Sequence, residues 1–340
     1  MRKNESEKDD PDLMNEDALQ ATPLHVVVLI PLRDDWASAA ELVRRLDQAI
    51  ASRPFLVEIL LVDDGSRTEF PAAEFPSQFA AIKGLRILHL RRNLGHQRAI
   101  AIGLVHIEES ISCDAVLVMD GDGEDTPEGA MQLLSSFTGK SAIFAKRSRR
   151  TESLIFRVFY QLYKVLHLIF TGVRVEIGNF SILPARALRT LAVMSEMWNH
   201  YAAAVMRSGL PMTSIPIARG HRITGNSKMN FVTLTAHGMS AISVFGDIVG
   251  VRLLVASIIG SLLASAGIVA VIAIRIFTSH AIPGWATYSI GVLAIILIQC
   301  ITMAASFTFS FLASRINLSF VPLRDYALFI DRIEDVPLHG

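Results

Sequence analysis

Two aspartates separated by a single glycine follow directly on a short apolar run near the middle of the chain. The run ends at Met119; Asp120, Gly121 and Asp122 come next, and Glu124 follows two residues later. A strand places residues two apart on one face, and glycine lets the backbone turn sharply, so both carboxylates can converge. Carboxylates that leave room for waters and diphosphate oxygens suit Mg²⁺ or Mn²⁺. The three acidic residues are candidate metal ligands, although an isolated Asp-Gly-Asp is more often a solvated turn.

Apolar runs alternate with amphipathic helical periods over the first half of the chain. We interpret 25–31, 55–64, 85–90, 115–119 and 141–146 as strands, and 36–51, 97–111 and a segment after Pro127 as helices. This alternation predicts a parallel, doubly wound α/β sheet covered on both faces. In such sheets ligands bind beyond the carboxyl ends of the strands. The polar candidates found there, besides the acidic pair, are Arg33, Asp34, Asp35, Asp63, Asp64, Gly65, Ser66, Arg92, Asn93, Gly95 and His96.

The composition is too apolar for an ordinary soluble enzyme. Of the 340 residues 51% are hydrophobic, and the mean hydropathy is +0.41. The 32 basic and 32 acidic residues give a net charge of zero, which does not favour a nucleic-acid partner. The two cysteines, Cys113 and Cys300, argue against a disulfide framework and place the main domain in a reducing compartment. Residues 1–23 are polar and acidic, lack the apolar core of a signal peptide, and are predicted to be a disordered tail.

The excess of apolar residues is concentrated in two long runs near the carboxyl end. We predict transmembrane helices at 251–275 and 286–314, joined by a short loop and followed by a cytosolic tail at 315–340. Arg252, Arg315 and Arg324 lie on the side of the main domain, whereas Arg275 alone lies near the far loop. The positive-inside rule therefore predicts a cytosolic main domain, and we expect the inner or plasma membrane of a bacterium.

Two amphipathic segments precede these runs. The first, at 153–171, carries a narrow polar stripe of Ser153, Arg157, Gln161, Lys164 and His167, and fits a helix that lies in the bilayer interface or is buried against the domain. The second, at 230–250, is predicted to be a juxtamembrane helix because it stands directly before the first span.

Five motifs appear in order before the membrane hairpin. Pro31–Asp35 loosely matches P-x-Y-N-E, Asp63–Ser66 matches D-D-G-S, Asn93, Gly95 and Ala99 match N-x-G-x-x-x-A, Asp120 and Asp122 match D-x-D, and Arg222, Gly225, Ser227 and Lys228 match R-x-x-G-x-S-K. Over roughly residues 26–315 the chain thereby resembles the inverting nucleotide-sugar glycosyltransferases of the GT-A fold. It most closely resembles the polyprenyl-phosphate sugar transferases, of the type of dolichyl-phosphate mannose synthase, with residues 24–229 as the catalytic domain.

The resemblance implies a role for each matched position. The donor, a UDP- or GDP-linked sugar, would contact Pro31, Arg33, Asp34, Asp35, Asp63, Asp64, Gly65, Asn93, Gly95, Arg98, Asp120 and Gly121. Asp120 and Asp122, with Glu124, would hold Mg²⁺ or Mn²⁺. A polyprenyl phosphate or another membrane lipid would receive one sugar with inversion, bound by Arg147, Arg157, Arg222, Ser227 and Lys228. Asp122, Arg222 and Lys228 would be catalytic; Arg149 and Arg150 would attract anionic lipid. A homo-oligomer is possible.

One departure from the family pattern leaves the acceptor open. Asn179 stands where the resemblance implies an aspartate that acts as the catalytic base, and asparagine cannot accept the proton. A phosphate acceptor is already largely ionised and needs little base, whereas a hydroxyl acceptor would need Glu176, Glu196 or His200. His200 equally fits a helix cap or a packing residue. A third hypothesis is a membrane adaptor that keeps the fold without catalysis.

Overall fold

The computed structural model describes residues 23–147, 154–174, 177–224, 231–278, 284–316 and 320–337. Most of the predicted tail at 1–23 lies outside these residues, as do Arg149, Arg150, Glu176, Ser227 and Lys228. The side chains of Arg147 and Arg157 are also outside the described part, so their predicted contacts with the acceptor remain predictions.

An eight-stranded mixed sheet forms the centre of the main domain. Its strands are β1 (Leu24–Leu32), β2 (Phe55–Asp63), β3 (Ile82–Leu90), β4 (Ala115–Val118), β5 (Ala142–Arg147), β6 (Ser181–Pro184), β7 (Met212–Ile217) and β8 (Ile330–Asp335). They lie in the order β7-β5-β6-β4-β1-β2-β3-β8. β1 to β4 pair in parallel, as do β5 and β7, whereas β6 runs antiparallel to β4 and β5, and β8 antiparallel to β3.

The predicted parallel pairing is therefore present in β1 to β4, whereas β6, inside the sheet, and β8, at its edge, run antiparallel to their neighbours. β6 has only four residues, and β8 is an edge strand with two isoleucines among four charged residues. Neither forms the long apolar run that identifies a buried parallel strand, since β6 is too short and an edge strand such as β8 needs only one apolar face.

Helices cover both faces of the sheet and form two separate cores. The α-helices that the structure describes between β1 and β7 are α1 (Trp36–Ile50), α2 (His96–Ser110), α3 (Pro127–Ser136), α4 (Leu154–Thr171), α5 (Arg186–Leu191) and α6 (Tyr201–Arg207). α1 and α3 pack on one face, and α2, α5 and α6 pack on the other. A Cβ atom at Gly103 would lie 2.4 Å from Leu29 Cδ1, so α2 sits directly on β1.

Three helices follow the domain: α7 (Phe231–Ser243), α8 (Gly246–Phe277) and α9 (Trp285–Ile316). α8 and α9 are long and apolar enough to cross a membrane, and only 17% and 0% of their most apolar windows are buried. Gly260 packs against Cys300 and Gly267 against Leu293, so the two helices form an antiparallel hairpin. The division between α7 and α8 falls at residues 244–245, so the predicted juxtamembrane segment 230–250 contains the first turn of α8 as well.

The segment predicted as a cytosolic tail, 315–340, is instead partly built into the fold. The short helix α10 (Pro322–Asp325) and a 3₁₀ turn (Tyr326–Phe329) lead into β8, which extends the sheet beyond β3. The prediction of a tail was wrong because the sequence of β8, Ile-Asp-Arg-Ile-Glu-Asp, is as polar as an exposed tail. Since β8 returns to the sheet, both ends of the hairpin lie on the side of the catalytic domain.

Candidate active site

The predicted carboxylates of the donor site meet where β1, β2 and β4 end. β1 lies between β2 and β4 with parallel register on both sides, so the turns that follow the three strands are neighbours. Asp34 and Asp35 follow β1, Asp63 ends β2, and the acidic pair follows β4. The structure therefore brings the carboxylates of three sequence motifs to one edge of the sheet, as the pattern of strands predicts.

Hydrogen bonds join the turns after β1 and β2. Asp63 Oδ1 accepts the N–H of Ser66 at 2.8 Å, and Ser66 Oγ accepts the N–H of Asp34 at 2.8 Å. Asp34 Oδ1 accepts the N–H of Arg67 at 2.6 Å, and Asp34 itself has a positive φ of 49°. Asp34 and Asp63 thus depend on each other for their orientation.

Asp64 supports a neighbouring loop from within the protein. It is 4% exposed, and its two oxygens accept the N–H groups of Leu94 at 2.6 Å and Gly95 at 2.9 Å. Burial raises the pKa of Asp64, although these hydrogen bonds oppose the rise. The carboxylate orders the Asn93–Gly95 turn, and any contact of Asp64 with the donor stays a prediction.

Gly65 lies against the same turn. Its φ is +65°, and a Cβ atom at this position would lie 2.6 Å from the backbone nitrogen of Asn93. Gly209 has a similar φ of +73° with nothing within 4 Å of its Cβ position. We expect Gly209→Ala to lower the free energy of unfolding by about 1 kcal/mol through backbone strain alone. Gly65→Ala should lower it by about 3 kcal/mol or more, because backbone atoms must also move. Equal losses in denaturant titrations would contradict this packing.

The acidic pair after β4 lies in a tight, partly buried turn. Two contacts hold Asp120 in place. Its backbone N–H donates to Asp125 Oδ2 at 2.9 Å, and its Oδ1 lies 3.0 Å from His96 Nε2. A Cβ atom at Gly121 would lie 3.1 Å from Ile30, which accounts for glycine between the aspartates. Burial first, and then the charge of Asp120, raise the pKa of Asp122. A divalent cation would relieve this repulsion, so the donor set fits one.

Glu124 is engaged elsewhere. It forms an ion pair with Arg219, and within the described part of the chain no three His, Cys, Asp or Glu side chains are grouped to hold a metal. A site of two carboxylates is nevertheless sufficient for Mg²⁺, which usually takes one or two from the protein and the rest from water and substrate phosphates. The third predicted ligand, Glu124, remains a prediction that its partner Arg219 makes less favourable.

The segment 219–224 closes over the acidic turn. Arg222 reaches Asp35 Oδ2 with Nη2 at 3.3 Å and Asp122 Oδ2 with Nη1 at 3.5 Å. The N–H of Ile223 donates to the carbonyl of Asp122 at 2.9 Å, and Thr224 Oγ1 donates to Asp35 Oδ1 at 3.2 Å. Arg222, predicted from the last of the five motifs, therefore bridges the ends of β1 and β4.

Asn179 is held in a defined orientation beside His96. The backbone N–H of Tyr201 can only donate, and it donates to Gln97 Oε1 at 2.7 Å. Gln97 must then donate through Nε2, which lies 3.2 Å from Asn179 Oδ1. The amide nitrogen of Asn179 consequently faces His96 Nε2 at 3.1 Å. Two amides in series thus fix the orientation of Asn179 and place its amide nitrogen beside the histidine nitrogen that contacts Asp120.

Three further candidates have partners of their own. Glu196 lies 3.2 Å from Arg207, which also binds Asp247 of α8 at 2.6 Å. Arg98 stacks over the Trp198 ring at 5.1 Å. His200 caps α6, since its Nδ1 accepts the N–H of Ala203 at 3.3 Å, while its Nε2 lies 3.2 Å from that of His237. None of these contacts joins the carboxylates at the strand ends.

Burial lowers the pKa of His200 to about 3, and the neighbouring His237, His167 and His96 add to the effect. The unfolded chain protonates this residue near pH 6.5 while the folded chain does not, so stability falls as the pH drops below that value. Between pH 7 and pH 5 we expect a loss of about 2 kcal/mol from this residue. Asparagine can still cap the helix but does not titrate in this range, so His200→Asn should make the free energy of unfolding depend less on pH. Denaturant titrations of both proteins check this; parallel curves would contradict it.

Several contacts at the site were not predicted from the sequence. Four of the residues involved belong to no recognised motif, and each contacts a partner that is distant in the sequence: Gln97, Arg219, His89 and Glu334. His96 was among the polar residues expected at strand ends, but no pattern assigned it a contact with Asp120. Glu334 carries the weakest signal, because it lies in the segment that we predicted to be a tail.

Similarity to known proteins indicates a glycosyltransferase. Residues 27–189 match the model of the family described as glycosyl transferase family 2. The chain thus contains a region that matches the family 2 glycosyltransferase model, and the predicted α/β sheet followed by two apolar helices is confirmed.

Curated relatives cover most of the chain. It is 28% identical over 267 residues to the undecaprenyl-phosphate 4-deoxy-4-formamido-L-arabinose transferase of Erwinia tasmaniensis, covering 74% of this chain and 77% of that protein. It is 23% identical over 270 residues to the glycosyltransferase YkcC of Bacillus subtilis, covering 76% and 80%. Among solved structures, a mannosyltransferase of Pyrobaculum calidifontis in complex with GDP-Man and Mn2+ has a TM-score of 0.37 at 15% identity, covering 84% of this chain and 88% of that one.

Proposed function

We propose that this glycosyltransferase moves a single sugar from a nucleotide-diphosphate sugar to a polyprenyl phosphate, with inversion and with a divalent cation. The observation that carries the proposal is the meeting of Asp35, Asp122 and Arg222 at the ends of β1 and β4. Carboxylates for a cation and ribose hydroxyls, together with a guanidinium for phosphates, are the groups that a sugar nucleotide requires.

The donor would lie along the ends of β1, β2 and β4. Asp34, Asp35 and Asp63 offer acceptors for the hydroxyl and amide donors of ribose and base. Asp120 and Asp122 would hold Mg²⁺ or Mn²⁺, which when bound supplies positive charge for the departing diphosphate. Arg222, poised between Asp35 and Asp122, would turn one N–H group to that diphosphate.

Asn179 supports a phosphate acceptor. A carboxylate at this point would take a proton from a hydroxyl, whereas the fixed amide of Asn179 donates hydrogen bonds and suits an anionic oxygen. A phosphate monoester, with a second pKa near 6, is already largely a dianion at neutral pH. The name of the Erwinia tasmaniensis relative specifies undecaprenyl phosphate for that protein and supports the same class here.

The reaction is a single displacement. An oxygen of the acceptor phosphate forms a bond to the anomeric carbon while the bond from that carbon to the diphosphate oxygen breaks. The nucleoside diphosphate leaves with the electron pair, no proton has to be removed, and attack from the opposite face inverts the centre. The chain's own residues orient the two phosphate groups and balance their charge.

A hydroxyl acceptor is less well supported. It would require a base, and the two described candidates are Glu196 and His200. Glu196 is paired with Arg207, and His200 caps a helix with a pKa lowered to about 3. Neither contacts the residues that would bind the donor.

Membrane attachment through α8 and α9 would bring this site to the lipid. Arg252, at the start of the span, donates to the carbonyl of Ile169 at 2.6 Å and so joins α8 to α4. The outer face of α4 exposes Leu162, Val165 and Ile169, as expected of a helix at the bilayer interface. With Arg252 and Arg324 on the domain side, we propose a cytosolic catalytic domain at a bacterial inner membrane.

A radiolabelled donor assay tests the proposal. UDP- and GDP-linked sugars are supplied with Mg²⁺ or Mn²⁺ to the full-length protein in detergent, with undecaprenyl phosphate, dolichyl phosphate or an uncharged polyprenol as acceptor. We expect labelled lipid with a phosphate acceptor and none with the polyprenol. Product formed only with hydroxyl acceptors would contradict the assignment of a phosphate acceptor. In that case Asn179→Asp should change the rate of transfer to the hydroxyl acceptors.

A further inference from the structure

The strand that follows the two apolar helices closes over the buried end of β3. Main-chain hydrogen bonds of 2.9 Å, from Arg91 N to Phe329 O and from Val336 N to Leu85 O, hold both ends of β8 in place. His89 lies opposite Arg332 in this antiparallel register. Glu334, two residues further along β8, is on the same face and diagonal to His89. β8 therefore places a carboxylate on the face of the sheet that also carries His89 and Asp63.

His89 lies between two carboxylates. The residue is 4% exposed, its Nδ1 is 2.9 Å from Asp63 Oδ2, and its Nε2 is 3.4 Å from Glu334 Oε2. Each ring nitrogen thus faces a carboxylate oxygen, which fixes the ring orientation in the way that an outer carboxylate orients a metal-binding histidine. The Trp36 ring packs beside it, with centroids 6.5 Å apart.

Asp63 connects His89 to the turns that follow β1 and β2. Burial works to raise its pKa, but hydrogen bonds from His89 and Ser66 outweigh burial and hold the pKa below its ordinary value. Its other oxygen accepts the N–H of Ser66, whose hydroxyl accepts the N–H of Asp34. A rotation of the Asp63 carboxylate would therefore disturb the turns after both β1 and β2.

We propose that His89 and Glu334 are positioning residues of the nucleotide-sugar site, and that β8 completes this site from beyond the membrane hairpin. The proposal rests on the proposed donor function of Asp34 and Asp63. Glu334 acts on His89, His89 orients Asp63, and Asp63 holds Asp34 in place. A strand that only covered the edge of the sheet would need no carboxylate directed at a buried histidine.

Three variants and a matched control separate positioning from plain sheet stability. His89→Leu removes both ring hydrogen bonds, whereas His89→Asn keeps an N–H group near the position of Nδ1. Glu334→Gln removes the distal charge. Asp335→Asn removes a neighbouring carboxylate of the same strand, whose partner is Arg86 at 3.1 Å and whose side chain is 82% exposed.

The readouts are the donor KM and kcat, and calorimetric Kd values for UDP and GDP with Mg²⁺, all on the full-length protein. His89→Leu should raise the donor KM and the nucleotide Kd about tenfold with a smaller change in kcat. His89→Asn should restore most of the affinity, Glu334→Gln should raise KM about two- to threefold, and Asp335→Asn should leave KM unchanged. In the His89→Leu background, Glu334→Gln should add nothing, because the link is already broken.

Two results would overturn the inference: equal effects of Glu334→Gln and Asp335→Asn on KM, or full nucleotide affinity in His89→Leu. The outcome is distinct from a failure of the proposed function. If the unsubstituted protein binds neither UDP nor GDP, the donor assignment itself is wrong. If it binds one of them and the His89 and Glu334 variants bind it equally well, only the positioning role is wrong.

Discussion

Asp122→Asn should reduce sugar transfer by about 10²- to 10³-fold at saturating donor. The change keeps the shape of the side chain but removes the charge that would hold the cation against the leaving diphosphate. The same substitution should not destabilise the protein. Burial and the charge of Asp120 raise the pKa of Asp122, so the carboxylate is under strain that a neutral amide relieves.

The measurement combines initial rates over a titration of Mg²⁺ and Mn²⁺ with thermal unfolding of the same preparations. Glu124→Gln is the matched control, because Glu124 lies in the same turn but is paired with Arg219. We expect its rate to fall by no more than about tenfold. A full rate in Asp122→Asn would contradict the metal assignment. Equal losses in both variants would instead restore Glu124 as the third ligand.

The central part of the fold is predictable because its signals are local. β1, β2 and β4 are largely apolar runs with charged residues at or just after their ends, and each strand ends in buried positions. Parallel strands must bring those ends to one edge of the sheet. For this reason Asp35, Asp63 and Asp122 could be grouped from the sequence before any distance was known.

The rest depends on pairings that no local pattern encodes. His89 and Glu334 are 245 positions apart, and they meet only because the chain returns from the membrane hairpin as β8. β6 is short and antiparallel, so neither its length nor its composition identifies it. Hydrogen bonds between distant side chains are decided by the packed sheet rather than by the residues next to them.

Residue type alone also assigns roles too freely. Asp64 lies in the D-D-G-S motif, yet both of its oxygens accept backbone N–H groups of the next loop. His200 is a residue type expected of a base, yet it accepts a backbone N–H as a helix cap. In each case the backbone donor is the competing partner, and a sequence does not reveal where such donors are left unpaired.

Arg222→Ala should lower kcat by about 10²- to 10³-fold, and Arg222→Lys should recover only part of that loss. The guanidinium reaches Asp35 and Asp122 with separate nitrogens and also donates from Nε to the carbonyl of Thr224 at 3.2 Å. A lysine ammonium is a single point and does not span these partners. Arg219→Ala is the control: it removes a guanidinium from the same segment, one whose partner is Glu124, and should change kcat by less than about tenfold.

A metal titration then separates the two roles that Arg222 would have. Since Arg222 lies 3.5 Å from Asp122, it neutralises the carboxylate that would bind the cation. Its removal should therefore lower the Mg²⁺ concentration needed for half-maximal rate, even though the maximal rate stays low. A low kcat with an unchanged Mg²⁺ concentration for half-maximal rate would mean that Arg222 acts on the phosphates and not on cation binding. An unchanged kcat would contradict the catalytic role of Arg222. The residue would then serve only to connect the ends of β1 and β4.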